Sequence, residues 1–567
     1  MLVGGLFTLL RQGEARNRPD SVMTAHRRFI ERLRDDDRGA VAVQFAFLAL
    51  PIAILAFGLL DMNRISVQRR QLQDALDAAT LMAARSTATT DAALDTVGDA
   101  AFAAELTGLG MTLTIGNSTF KADSGNKVIG TASVSIQPII SNLWTKTDPL
   151  VTATSEVVRS VNKLEVALVL DNTGSMGSNL GSGGKKIDAL IDASKDLVDT
   201  LATAAARASE TDAVKISVVP FSMTVNVGSS HSSASWLTGT LPSDYGPDVF
   251  ESSQNRFTLF TRMDTPWKGC VESRPDPYDI SDASPTSTTP ATLFVPFFAP
   301  DEPDDDKVNY PSSSSKYRDA RTNWGGEIYN NWITDDKTNS NDWFTRQKED
   351  NKYASGNKGK VISDAKSGTN YGPNAGCGIT SVLRMTNVRT SAGATTVKDK
   401  LDDMVATGNT NVAMGLVWGW HMVSPNAPFA DGSAYGTKNI SKVIVLLTDG
   451  DNVMSETGNP NDGTYSGYGY IWQKRLKNAS NVALDAGATG TQRRDAMDSR
   501  QQKTCANAKA KGVIIYSIGV GVSTHSKAIL QNCASTTDKY YDVTDAAQLA
   551  AVFDAIAGSI QNLRIAK

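Results

Sequence analysis

Histidine is scarce and scattered. His26, His231, His421 and His525 are the only four in 567 residues; they lie far apart, and neither an HExxH nor any other metal-ligand spacing links them. Cysteine is equally sparse, and four residues cannot build a disulfide-dense scaffold. No GxSxG nucleophile elbow occurs. An excess of positive charge is also missing. Fifty-six Lys and Arg against 60 Asp and Glu give a formal net charge of -4, which excludes a basic body and argues against nucleic acid as the main partner. With 41% hydrophobic and 20% charged residues the chain is neither disordered nor collagen-like, and its length allows about three or four domains.

One local stretch departs from this average. Gly39 to Leu60 reads GAVAVQFAFLALPIAILAFGLL, without a single charge. At ~1.5 Å per residue it crosses a bilayer core of about 30 Å. No small-x-small cleavage site follows, since Asp61 and Asn63 come next, so a retained anchor is expected rather than a signal peptide or a buried core helix. Arg27, Arg28, Arg32, Arg34 and Arg38 precede the span, and Arg64, Arg69 and Arg70 follow it. This bias puts the leader, residues 1–38, in the cytoplasm and the body across the membrane. Met23 opens a compact basic leader and is a second candidate start. All four cysteines follow the span, where an oxidising compartment allows pairing. Cys505 and Cys533 flank one expected strand and are paired on that ground, Cys270 and Cys377 by elimination; four free buried thiols are the alternative.

Beyond the span, Ile65, Leu72, Ala75, Ala79 and Leu81–Met82 recur at helical spacing. Residues 91–161 read as a helix and a β-rich spacer, with period-two runs at 111–120, 126–139 and 150–161. From 162 to 567 the pattern alternates. Apolar strands at 164–171, 214–221, 442–449 and 513–522 are interleaved with helices over 187–201, near 397–406, near 411–423, near 495–511 and over 546–561. This is the signature of an α/β fold with a doubly wound, mainly parallel sheet. Polar stretches at about 229–376 and 453–492 interrupt it, both after strands, so both emerge at the carboxyl edge where open α/β sheets bind ligands. The longer one is expected to form a small subdomain.

Three loops should meet at that edge: Asp171-Asn172-Thr173-Gly174-Ser175, Gly408-Asn409-Thr410, and Thr448-Asp449-Gly450-Asp451. All offer hydroxyl or carboxylate oxygen, the donors a hard divalent cation takes. Together they resemble the metal-ion-dependent adhesion site of von Willebrand factor A domains, whose pattern is Asp-x-Ser/Thr-x-Ser, then a Thr, then an Asp. Asp171, Thr173, Ser175, Thr410 and Asp449 match it position by position. The resemblance implies direct metal binding by the hydroxyls, aspartates acting directly or through water, and a partner carboxylate completing the shell. The implied cofactor is Mg²⁺, with Ca²⁺ or Mn²⁺ as alternatives.

Other strings are set aside. Gly177–Lys186 (GSNLGSGGKK) imitates a phosphate loop but fails GxxxxGK[ST], with Asn179 at the first glycine and Lys186 at the hydroxyl, so no nucleotide is expected. Asp301–Asp306 reads as a solvated acidic loop, with Ca²⁺ binding as the alternative. The Trp and Tyr residues between 324 and 371 form either a recognition face or a core.

Arg38-Gly39-Ala40-Val41-Ala42-Val43-Gln44-Phe45 resembles the start of Tad-type pilus-assembly proteins, in a Tad-like region reaching to about residue 90, although Gln44 replaces the expected Glu and cleavage after Gly39 is not expected. The anchor, the A domain and the polar insertion together are similar to TadG-like proteins of Flp (tight adherence) pili. WKGCVESRPDPYD (267–279) and the stretch 408–425 fit that group as well. The resemblance implies a bacterial inner-membrane protein with a periplasmic body. It would bind other pilus-assembly or envelope proteins through an acidic side chain and would not be an enzyme. A pilin-like minor subunit is the alternative, and a metal-dependent enzyme the third reading.

Overall fold

The computed structural model describes residues 37–86, 88, 90–108, 118–123, 127–135, 150–158, 163–182, 184–206, 208, 210–303, 330–333, 343–361, 363–369, 371–456 and 461–565. The leader arginines up to Arg34, Met23 and residues 111–117 of the first expected strand lie outside these. The chain divides into two compact units. One is built from residues up to Ala122 and Val128–Val157, the other from Asp123–Lys127 and Val158 onward.

In the first unit the uncharged run and the amphipathic stretch are a single helix, α1 (Asp37–Arg85), with Pro51 inside it. Apart from the Phe47 carbonyl, which Pro51 leaves without its i→i−4 donor, the helix interior satisfies its own backbone groups, the condition for a segment placed in lipid. Phe45, Phe47, Leu48, Leu50, Ile52 and Leu55 are exposed, and the helix is long and apolar enough to cross a membrane. Further along, its burial turns one-sided. Leu72, Leu76, Ala79 and Ala83 share a core with Leu94, Phe102 and Leu106 of α2 (Asp91–Gly108). Phe120, Val128, Val134 and Val151 complete that core from a three-stranded sheet, β1 (Thr119–Asp123), β2 (Lys127–Ser135) and β3 (Leu150–Val158). Gly98 admits the Phe120 ring: a Cβ there would lie 2.2 Å from the ring's Cγ.

The second unit alternates strand and helix: β4 (Lys163–Asp171), α3 (Lys186–Ala206), β5 (Val214–Phe221), β6 (Val225–Asn226), β7 (Cys270–Val271), β8 (Leu383–Asn387), α4 (Ser391–Asp402), α5 (Val412–Val423), β9 (Ile440–Thr448), α6 (Gly490–Ala510), β10 (Ile514–Val520), α7 (Thr524–Cys533), β11 (Tyr540–Val543) and α8 (Leu549–Ile565). The sheet is mixed. Strands run β11-β10-β9-β4-β5 in parallel, and β8 and β6 pair antiparallel with β5, and β7 with β6. Both faces of the central strand are covered, which is why its sequence is continuously apolar. Val166, Leu168 and Leu170 of β4 pack with Ile187, Leu197 and Leu201 of α3 and with Phe553 and Ile556 of α8. Ala167 and Val169 face a second cluster with Leu416 and Trp420 of α5 and Ala508 of α6.

Several expectations need correction. The helix expected near 397–406 begins at Ser391, where the Thr390 side chain accepts from Gly393 N, and stops at Asp402. The short edge strands β8 and β11 and helix α7 were not anticipated. Described residues of the first polar stretch add to the core: Phe250, Phe298, Trp332 and Tyr353 share one cluster with Val169 and Val219. Trp332 and Tyr353 are therefore core residues; Trp324 lies outside the described residues. The acidic run is not a solvated loop at its start. Asp301 Oδ1 accepts from Trp332 N (2.7 Å) and Ile333 N (2.6 Å), and Lys352 Nζ lies 3.1 Å from Oδ2. Glu302 Oε1 accepts from Tyr470 Oη at 2.7 Å and Asn461 Nδ2 at 3.0 Å. Asp304–Asp306 lie outside the described residues.

Candidate metal centre

Strand order decides where the loops meet. The chain leaves β4 towards β5 on one side, while β9, β10 and β11 lie on the other. At such a reversal the loops diverge and leave a crevice beyond the carboxyl ends of the strands. Asp171 is the last residue of β4, and Asp449 directly follows β9. Because Leu170 pairs with Leu447, Asp171 comes level with Thr448.

The first and third loops touch through side chains. Asp171 Oδ1 accepts from Thr173 N at 2.7 Å, and its Oδ2 accepts from Thr448 Oγ1 at 2.6 Å. The Thr173 and Ser175 hydroxyls lie 3.0 Å apart, and Ser175 Oγ donates to Asp449 Oδ1 at 2.6 Å. Asp449 Oδ2 accepts from Lys186 Nζ at 2.9 Å. Both carboxylates are buried. Burial, and then the charge of Asp449, push the Asp171 carboxyl up to about 6.

The second loop joins through backbone. Gly174 N donates to Gly408 O (3.0 Å), Thr407 N to Asn172 O (2.6 Å), and Asn411 N to Ser222 O (3.0 Å). Gly408 has φ +76°, a conformation that favours glycine, and a Cβ there would press at 3.2 Å on Ser222 Oγ. Thr410 is buried, and its carbonyl accepts from Val453 N at 2.8 Å. Asn411 caps α5, and Asn452 Oδ1 accepts from Val412 N in its first turn at 2.8 Å. The structure thus brings Asp171, Thr173, Ser175 and Asp449 into one hydrogen-bonded set and seats the Thr410 loop against it. Two carboxylates and two hydroxyls, all oxygen, suit a hard divalent cation better than a soft metal.

Two participants lie outside the five residues that the resemblance names. Thr448 sits one position before Asp449 as the last residue of β9, and Lys186 belongs to the string dismissed as a failed phosphate loop. A third feature involves one of the scattered histidines. Folding brings His525 Nε2 within 2.6 Å of Asp498 Oδ2, with Asp495 close by; the positions lie on α6 and α7, and no local spacing announces them. Cys270–Cys377 and Cys505–Cys533 are disulfide-bonded, and all four cysteines are buried. A cavity of about 230 Å³ opens beside the second loop, lined by Gly408, Asn409, Ser455, Glu302 and Tyr465; burial pushes the Glu302 carboxyl up to about 7.

A pH-dependent outcome follows from Asp171. Its folded-state pKa lies above the ordinary value of 3.8, so the folded form holds the proton more tightly and the destabilising charge is fully present above about pH 6. With chelator present, Asp171→Asn should unfold at higher denaturant than the native chain at pH 7, by up to ~3 kcal/mol. The gap should close as pH falls through 6 towards 4. Denaturant titrations at pH 7 and pH 4.5 measure this, and a gap of the same size at both would count against it.

Among solved structures, the pilus adhesin SpaC from Lactobacillus rhamnosus GG is 12% identical, covering 79% of this chain and 34% of that one, with TM-score 0.32. The chain thus spans about a third of the SpaC length. The vWF domain of the type V pili tip protein Mfa5 from Porphyromonas gingivalis is 12% identical, covering 71% and 97%, with TM-score 0.31. Proximal thread matrix protein 1 from the mussel byssus, solved with a zinc-occupied MIDAS motif, is 12% identical, covering 71% and 47%, with TM-score 0.25. No curated protein matches the chain. Residues 39–86, which lie within α1 and one residue past it, match the family described as putative Flp pilus-assembly TadE/G-like.

Proposed function

We propose that this is a membrane-anchored Tad-type pilus-assembly protein whose second unit is a von Willebrand A-type, doubly wound domain with a metal-ion-dependent adhesion site. Asp171, Thr173, Ser175, Thr410 and Asp449 hold a divalent cation, Mg²⁺ in the first instance, and the site grips an acidic side chain of a pilus or envelope partner. The supporting observation is the convergence of Ser175 on Asp449 and of Thr448 on Asp171 across loops some 270 residues apart in sequence. When bound, the cation would supply an open coordination position for the partner's carboxylate. The protein's own groups do the rest. Thr448 Oγ1 and Thr173 N orient the Asp171 carboxylate, Ser175 orients Asp449, and Gly408 lets the second loop lie against the end of β5. Helix α1 anchors the chain in the inner membrane with its N-terminus in the cytoplasm and the second unit in the periplasm. The role is binding and assembly rather than turnover.

Pull-down of the full chain from solubilised envelopes, with and without EDTA, tests this. Partner proteins should co-purify with the native chain, be lost with EDTA, return with added Mg²⁺, and be absent with Asp171→Ala. Capture insensitive both to EDTA and to that substitution would refute the reading.

A further inference from the structure

The string Gly177–Lys186 binds no phosphate in the reading above, yet its last residue reaches the metal centre. The loop closes tightly. Lys186 N donates to Ser178 O at 3.0 Å, and Leu180 N to Gly184 O at 3.1 Å. Ser182 is fastened to Asp545 Oδ2 by its N at 3.0 Å and its Oγ at 2.9 Å. The excursion therefore returns Lys186 to a defined place as the first residue of α3. Its side chain is only 11% exposed, and the ammonium lies 2.9 Å from Asp449 Oδ2, on the oxygen that Ser175 does not use.

We infer that Lys186 is a resident counter-cation that weakens the site's hold on a divalent metal and strengthens the loaded site's hold on an acidic ligand. This rests on the metal-centre reading given under Proposed function. The charge arithmetic is simple. Asp171, Asp449 and Lys186 sum to -1; a divalent ion brings the site to +1, and a partner carboxylate brings it to zero. Without the lysine the same three states are -2, zero and -1. Lys186 thus opposes the first binding step by like-charge repulsion and favours the second, in a place too buried for water to screen either effect fully. Selectivity for acids then comes from a group on the first loop's own exit, and the site releases its metal more readily when no partner is present.

The test uses the full chain in detergent micelles. Mn²⁺ is the metal probe, followed by the electron paramagnetic resonance signal of the free ion, and N-acetylaspartate is the carboxylate probe at saturating Mn²⁺. Lys186→Met should bind Mn²⁺ on the order of tenfold more tightly than the native chain and bind N-acetylaspartate at least roughly threefold more weakly. Lys186→Gln should repeat both shifts, which guards against a packing fault in the methionine variant, and Lys186→Arg should stay close to native. Shifts in the same direction, or none in either neutral variant, overturn the inference. If they are absent while Asp449→Ala still abolishes Mn²⁺ binding, only the role of Lys186 falls. If the native chain and both neutral variants all fail to take up Mn²⁺, the metal-centre reading falls with it.

Discussion

Replacing Cys270 and Cys377 together by alanine is expected to lower the unfolding free energy of the second unit by roughly 5 kcal/mol. The bond joins residues 107 apart, and the entropy an unfolded chain regains when a cross-link is removed grows with the logarithm of the loop it closed. Cys270 lies in β7 and Cys377 shortly before β8, so the bond ties the end of the first long polar stretch to β7, the edge strand within it. Cys505–Cys533 spans 28 residues, and its double alanine variant should lose less, about 3–4 kcal/mol. Denaturant unfolding followed by tryptophan fluorescence measures both. An inverted order would show that native packing around the cysteines outweighs loop entropy here, and no loss for the 270–377 pair would show that this bond does not stabilise the fold.

Glu272→Ala should be of comparable severity, roughly 3–5 kcal/mol. Glu272 is fully buried beside β7. Its Oε2 accepts from Arg475 Nη1 at 2.7 Å, its Oε1 accepts from Tyr465 Oη at 2.6 Å, and Arg256 Nε lies 3.6 Å away. The carboxylate therefore joins the first polar stretch to the second. Arg256 and Arg475 are themselves buried, and Nε and Nη1 of Arg256 have no hydrogen-bond partner among the described residues. Removing the anion leaves two guanidinium groups without it in a region that water does not reach, the costly way to break a buried pair. Glu272→Gln keeps an acceptor for Tyr465 but not the charge and should fall between. Denaturant midpoints, with limited proteolysis across 453–492, report the loss; a change under ~1 kcal/mol for Glu272→Ala would mean the pair is better solvated than its burial implies.

The strands that were legible in the sequence are those buried on both faces. LEVALVLD, VKISVVPF, KVIVLLTD and VIIYSIGVGV are continuous apolar runs because helices or insertion residues cover each side of the sheet. The edge strands were not legible. LRMTN in β8 and YYDV in β11 are only partly buried and carry polar residues, so neither a period of two nor an apolar run marks them. Helix α4 was misplaced because SAGATTVKDKLD buries only Ala394, Val397 and Leu401, and the signal of its start is the Thr390 cap rather than its apolar face. The candidate site divides in the same way. Asp171, Thr173, Ser175, Thr410 and Asp449 could be named because each loop's string matches the von Willebrand A pattern within a few residues, and two of the loops follow legible strands.

By itself the sequence determined the uncharged helix long enough for a bilayer, the alternation of apolar strands with helices, and the oxygen-bearing loops that follow them. Each is a record of burial or turn chemistry within a few residues, and that is where periodicity and composition speak. Only the tertiary structure decided that Lys186 faces Asp449, that Glu272 joins Arg475 across 203 residues of sequence, that Asp301 is sequestered rather than solvated, and that His525 meets Asp498. Such pairings depend on which loops the strand order brings to one edge of the sheet. A carboxylate written in a sequence looks the same whether it will meet water, a lysine or another carboxylate, until the fold removes the water.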